Sequence, residues 1–131
     1  MKRKIVIIGL LFFMPNMLMS QNSKLNASNS NDPLIGNWKI DLRPTPDSEA
    51  YFQPFIVKVV NKTSFTGTFY GSEIKHALLN KNWSKTYFAF STSDQNNEYY
   101  HSGYIENDKL YGITYCPNRE FTAPWTGVKE K

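Results

Sequence analysis

The sequence predicts an all-β domain: an antiparallel up-and-down meander barrel of about eight strands, with a small β-sandwich as the alternative. Three observations carry this expectation. Apolar residues recur at every second position through most of residues 34–128, the period of a half-buried strand. Turn-forming residues interrupt that pattern roughly every ten positions. No amphipathic segment is long enough to demand a helix, and closing such a sheet on itself removes its exposed edges.

The elements follow in order. Trp38, Ile40 and Leu42 alternate with Asn37, Lys39 and Asp41, which predicts the first strand. The Arg-Pro-Thr-Pro-Asp run at 43–47 predicts a loop, because its two prolines lack ladder donors. Residues 50–60 read as the second strand, with Phe55, Val57 and Val59 on one face and Pro54 marking an edge or a bulge. Residues 65–71 read as the third, with Gly67 where another backbone or side chain comes close. Residues 72–80 fit either a strand, through Ile74, His76 and Leu78, or one helical face; the β context favours the strand. Strands are also expected over 85–92 and 121–128.

Between those two, residues 98–106 and 109–116 form a hairpin around Asn107 and Asp108, which tolerate the positive φ of a tight turn. A two-residue loop sets the register. Glu106 then faces Lys109, Tyr104 faces Tyr111, and Tyr100 faces Tyr115, with Ser102 and Ile113 between them on the same side. The opposite side carries His101 across from Thr114 and Gly103 across from Gly112.

Three domains of behaviour are expected along the chain. Residues 1–20 have the pattern of a cleavable secretory signal: Lys2, Arg3 and Lys4, then an apolar run over 5–14, then Pro15, Asn16 and a small residue at Ser20. The run is shorter than the ~20 residues a membrane-spanning helix needs, so no span is expected in the mature chain. Residues 21–33, rich in Asn and Ser, read as a flexible polar linker. Residues 34–131 are the single barrel domain. The expected location is secreted or periplasmic.

Charge narrows the partners. The chain has 15 basic and 11 acidic residues, a net of +4, but three of the basic residues sit in the signal segment. The remainder is nearly neutral and its lysines are scattered, which argues against nucleic acid. Cys116 is the only cysteine, so no intramolecular disulfide can form; it reads as a small buried strand residue or, alternatively, a reactive thiol. His76 and His101 are the only histidines, and their spacing asks for no metal. No nucleophile elbow, zinc motif or phosphate loop is present, so no enzyme activity, no cofactor and no metal are expected.

Short motifs carry a resemblance. Gly36, Asn37 and Trp38 resemble the G-x-W opening of lipocalin and avidin barrels, and residues 65–69 resemble the third strand of avidins. Trp83, the Phe-Ala-Phe at 88–90, Ser102-Gly103 and Trp125-Thr126-Gly127 follow in a similar order. The resemblance implies a meander barrel whose open end holds a ligand, and a first-strand Trp packed at the closed end under Arg119 or Lys129. It does not extend to a biotin site. Ile40, Pro44 and Phe69 stand where avidins have an Asn, a Ser and a Tyr that bond the ligand, and residues 121–129 contain no Asp.

The expected function is that of a non-enzymatic binding protein carrying a small apolar or amphipathic molecule in the barrel. The alternative is a protein-interaction or inhibitor domain using an outer sheet face. The candidate ligand-binding residues are Tyr100, Tyr104, Tyr111, Tyr115, Trp83 and Trp125. Aromatic side chains offer broad apolar area with a polar tip, which suits a binding wall. Cross-strand tyrosine pairs also stabilise a sheet without binding anything, by ~0.2–1 kcal/mol each.

Overall fold

The computed structural model describes residues 29–131. The signal segment expected over 1–20 lies outside them. Nine strands run in one antiparallel sheet: β1 (Gly36–Asp41), β2 (Phe52–Val60), β3 (Phe65–Phe69), β4 (Ser72–Glu73), β5 (Lys75–Asn80), β6 (Thr86–Ser93), β7 (Glu98–Glu106), β8 (Lys109–Cys116) and β9 (Phe121–Lys129). Their order is β4-β3-β2-β1-β9-β8-β7-β6-β5, an up-and-down meander in which β9 returns to pair with β1. The sheet curls into a nearly closed barrel. Its seam, between β3 and β5, is bridged by Leu79 N–H to Thr63 O (2.9 Å). Among the described residues no helix is long and apolar enough to cross a membrane.

The β7–β8 hairpin has the expected register, from Glu106 opposite Lys109 to Tyr100 opposite Tyr115. Asn107 and Asp108 both have positive φ, 51° and 59°. Two such residues make the turn whose twist matches that of the strands it joins.

Two face assignments differ from the sequence expectation, and both have a local cause. In β2 the register against β3 shifts between Val57 and Val59. The extra residue turns Val59 outward, and Val60 takes the buried place instead. Pro54 is therefore not at the bulge. It sits where the β2–β3 ladder ends, and its carbonyl accepts from Tyr70 N–H (2.9 Å), so its missing donor costs no ladder bond. The stretch over 72–80 is not one strand but two. His76 adopts φ 52°, and the register shifts between Lys75 and Leu78. Leu78 is turned out to solvent and Leu79 is buried.

The barrel interior is filled by aromatic side chains. Phe55, Phe65, Phe69, Phe88, Phe90 and Trp125 pack with ring centroids 5.3–6.4 Å apart. Burying one such side chain is worth ~1.5–3 kcal/mol, and a good aromatic pair adds ~0.5–1.5 kcal/mol. Gly112 makes room for this packing: a Cβ there would lie 2.2 Å from the Trp125 ring. Gly67 does the same for the β2–β3 crossing, where a Cβ would meet Ile56 O at 1.8 Å.

One end of the barrel is closed. Leu34 and Trp38 are buried there, and Trp38 Nε1–H donates to Leu34 O (2.8 Å). Lys129 Nζ stands 5.0 Å from the Trp38 ring and donates to Pro33 O (2.7 Å). Arg119 lies at the other end. Residues 29–33, within the stretch expected as a linker, are docked onto this closed end. Asn29 N–H donates to Val60 O (2.8 Å), and Asp32 is buried, its carboxylate accepting from Leu34 N–H and pairing with Lys81.

Candidate functional site

The other end is open. The ends of β1, β3, β6 and β8, the starts of β7 and β9, and the residues around them surround a cavity of about 480 Å³. That volume lies in the ~300–1,000 Å³ range of small-molecule sites. Leu42, Phe69 and Phe121 give it apolar walls, and Thr92, His101 and Thr114 give it a polar floor.

The floor is a chain of buried hydrogen bonds. Trp125 Nε1–H donates to Thr114 Oγ1 (3.0 Å), Thr114 Oγ1 bonds His101 Nδ1 (2.7 Å), and His101 Nε2 bonds Thr92 Oγ1 (2.8 Å). His101 is also sandwiched between Phe69 and Phe90, with centroids at 4.3 and 4.6 Å. Burial lowers its pKa from 6.5 to about 4, so the ring is neutral near pH 7.

The rim carries the charge. Arg119 Nη1–H donates to Tyr99 OH (3.0 Å), and Tyr99 OH donates to Asp94 Oδ2 (3.0 Å). The bond to Tyr99 holds Arg119 above its usual pKa range. Asp94 Oδ1 accepts from the N–H groups of Asn96 and Asn97, which hold the carboxyl below its usual range. The Arg119 guanidinium lies 5.2 Å from the Phe121 ring and 5.9 Å from the Tyr99 ring. It forms no ion pair with a carboxylate among the described residues. Opposite, the Tyr51 and Tyr70 hydroxyls bond each other. Tyr70 sits at φ 53° in the turn between β3 and β4, a conformation bulky residues avoid. Its phenol thus reaches the rim from a strained backbone.

The six side chains expected to bind ligand lie elsewhere. Tyr100, Tyr104, Tyr111 and Tyr115 point out of the barrel, because His101, Ile105, Leu110 and Thr114 occupy the inner face of the same hairpin. They form two ring pairs, Tyr104 stacked on Tyr111 (5.2 Å) and Tyr100 tilted against Tyr115 (5.5 Å), and line shallow grooves of the outer wall. Lys85 Nζ covers the Tyr104 ring at 4.4 Å. Trp83 is in the loop at 81–85, 72% exposed. Trp125 is inside, but it is part of the packed core beneath the floor and meets the cavity lining through Thr114 and Phe69.

The residues that do build the cavity were not predicted. They come from strand ends that are distant in sequence, and no short motif joins them. One signal was available: Gly103 opposite Gly112 on the same face as His101 and Thr114. Facing small residues leave room for a large ring, which marks that face as the inner one. His76 is exposed on β5, whereas His101 is buried. Cys116 is a buried free thiol. Among the described residues no group of three or more His, Cys, Asp or Glu is placed to hold a metal.

Comparison of the chain with known protein families, with curated proteins and with solved structures returns no match.

Proposed function

We infer that this is a non-enzymatic binding protein that holds a small amphipathic molecule at the open end of its barrel. The observation that carries this inference is the cavity of about 480 Å³ with apolar walls and a hydrogen-bonded floor, at one end of an otherwise filled barrel. Sites of this kind combine apolar area for affinity with a few fixed polar groups for orientation. The groups at the mouth also suit binding better than proton transfer: both His101 nitrogens are committed to threonine hydroxyls, and both Asp94 oxygens are bonded. The pattern of residues 1–20 supports action outside the cytoplasm.

The test is titration with the fluorescent amphiphile 8-anilinonaphthalene-1-sulfonate. Ala123 lines the mouth, and Ala123→Phe fills it. The inference expects bound-dye fluorescence in the wild type, its loss in Ala123→Phe, and its retention when Tyr100 and Tyr115 are both changed to Ser. Loss in the tyrosine variant alone would move binding to the outer wall.

That wall supports the second reading, an interaction surface for another protein. Tyr100, Ile113 and Tyr115 are about half exposed and adjacent on one face, and a contiguous apolar patch on a soluble domain marks a contact site.

A further inference from the structure

The polar groups at the mouth can be sorted into those with bonding capacity left and those without. Among the described residues the one carboxylate lining the mouth, Asp94, is engaged. Asp94 accepts three hydrogen bonds, and Ser93 Oγ accepts from Lys75 Nζ (2.7 Å). Tyr99 OH accepts from Arg119 and donates to Asp94, so it is used in both directions.

The donors are not all used. Of the Tyr51 and Tyr70 hydroxyls, one donates to the other, which leaves one O–H free. Arg119 has five N–H donors, and one is bonded to Tyr99. The floor supplies a third. An indole N–H can only donate, so Thr114 Oγ1 accepts from Trp125. The hydroxyl hydrogen of buried Thr114 then needs an acceptor, and His101 Nδ1 is the one beside it. A neutral imidazole accepting at Nδ1 carries its hydrogen on Nε2, which donates to Thr92 Oγ1. The chain therefore runs in one direction, from Trp125 outward, and ends on a Thr92 O–H that faces the cavity.

We propose that the molecule held at the mouth is an organic anion with a flat apolar body, its acceptor oxygens bonded by Arg119 and by the Thr92 hydroxyl that the Trp125–Thr114–His101 chain orients. Phe69, Leu42 and Phe121 take the apolar body. The guanidinium, held 5.2 Å over the Phe121 ring, is pre-positioned for a carboxylate or a comparable planar head. This proposal rests on the mouth being the binding site, and it names what that site selects.

The experiment uses three probes with one body and different heads: 2-naphthylacetate, 2-naphthylacetamide and 2-(2-naphthyl)ethylamine. Each is titrated into the full chain and followed by amide and histidine NMR. The expected order is acetate, then amide, then amine. A hydrogen bond to a charged group accounts for about a tenfold difference or more, so the acetate binds at least about tenfold tighter than the amine. Arg119→Gln lowers acetate affinity about tenfold. Thr92→Val lowers both acetate and amide affinity, while Thr92→Ser, which keeps the hydroxyl, restores them. The free wild-type protein shows His101 as the Nε2–H tautomer, a readout taken before any ligand is added. Amine binding at the mouth as tight as the acetate overturns the anion proposal and leaves the mouth as the site. An Nδ1–H tautomer overturns the role given to Thr92. If none of the three probes shifts the resonances of Thr92, His101 or Arg119, the proposal and the mouth itself both fail as a binding site.

Discussion

Leu34 and Trp38 plug one end of the barrel with essentially no exposed surface, while at the other end Thr92, Tyr99 and Arg119 surround about 480 Å³ of space. The same strands build both ends. The difference lies in what fills the last inward position of each. At the closed end these are large apolar side chains, capped by docked residues 29–33 and by Lys129. At the open end they are hydroxyls, an imidazole and phenols, which bond one another and stop short of filling the barrel. Stability is concentrated where packing is complete, and recognition is expected where polar groups have capacity left.

Three substitution or pH experiments probe that contrast, from the largest effect down. Trp38→Ala removes a wholly buried ring that is also bonded through its indole N–H. It should cost about 3–5 kcal/mol of unfolding free energy, measured by urea denaturation. A loss no greater than that of mouth variants would erase the distinction between the ends.

His101 gives the next effect. Its pKa falls from 6.5 to about 4 in the folded protein, so the unfolded chain binds a proton that the folded one refuses in that window. Stability is at its full value above about pH 6.5 and falls as the pH drops toward 4, by a total of order 3 kcal/mol. Comparing unfolding at pH 7 and pH 4.5 in the wild type and in His101→Asn isolates this share, because acidic residues titrate in both. Parallel profiles would mean that the floor admits a protonated ring.

The smallest effect is at the rim. Arg119→Gln should change stability by no more than about 0.5 kcal/mol, since the side chain is exposed and its one side-chain bond is to a phenol. A thermal melt checks this. A large loss would make Arg119 part of the fold, not a group held ready for a ligand.

How far the sequence reached differs between the two faces of one hairpin. Asn107 and Asp108 define a two-residue loop, so the pairing of Tyr104 with Tyr111 and of Tyr100 with Tyr115 could be read without a structure. Which face looks inward could not be read from the tyrosines, since a ring pair is stable on either side of a sheet. Elsewhere single-residue irregularities defeated the alternation. The bulge at Val57–Val59 and the positive φ of His76 each flip every later side chain of their strand, and neither position carries a glycine or another local sign. The mouth was hidden for a different reason. Tyr51, Tyr70, Thr92, Tyr99 and Arg119 meet only because alternate ends of a meander fall together, and their spacing in the chain holds no trace of it.

The most direct check is native mass spectrometry of the protein purified from its own host. A bound mass of roughly a few hundred daltons, as fits the cavity, should be present in the wild type, released on denaturation, absent from Ala123→Phe and kept when Tyr100 and Tyr115 are Ser. A bare wild-type protein, or a partner of polypeptide mass that is lost with the two tyrosines, would mean that the outer wall and not the open end is what this barrel uses.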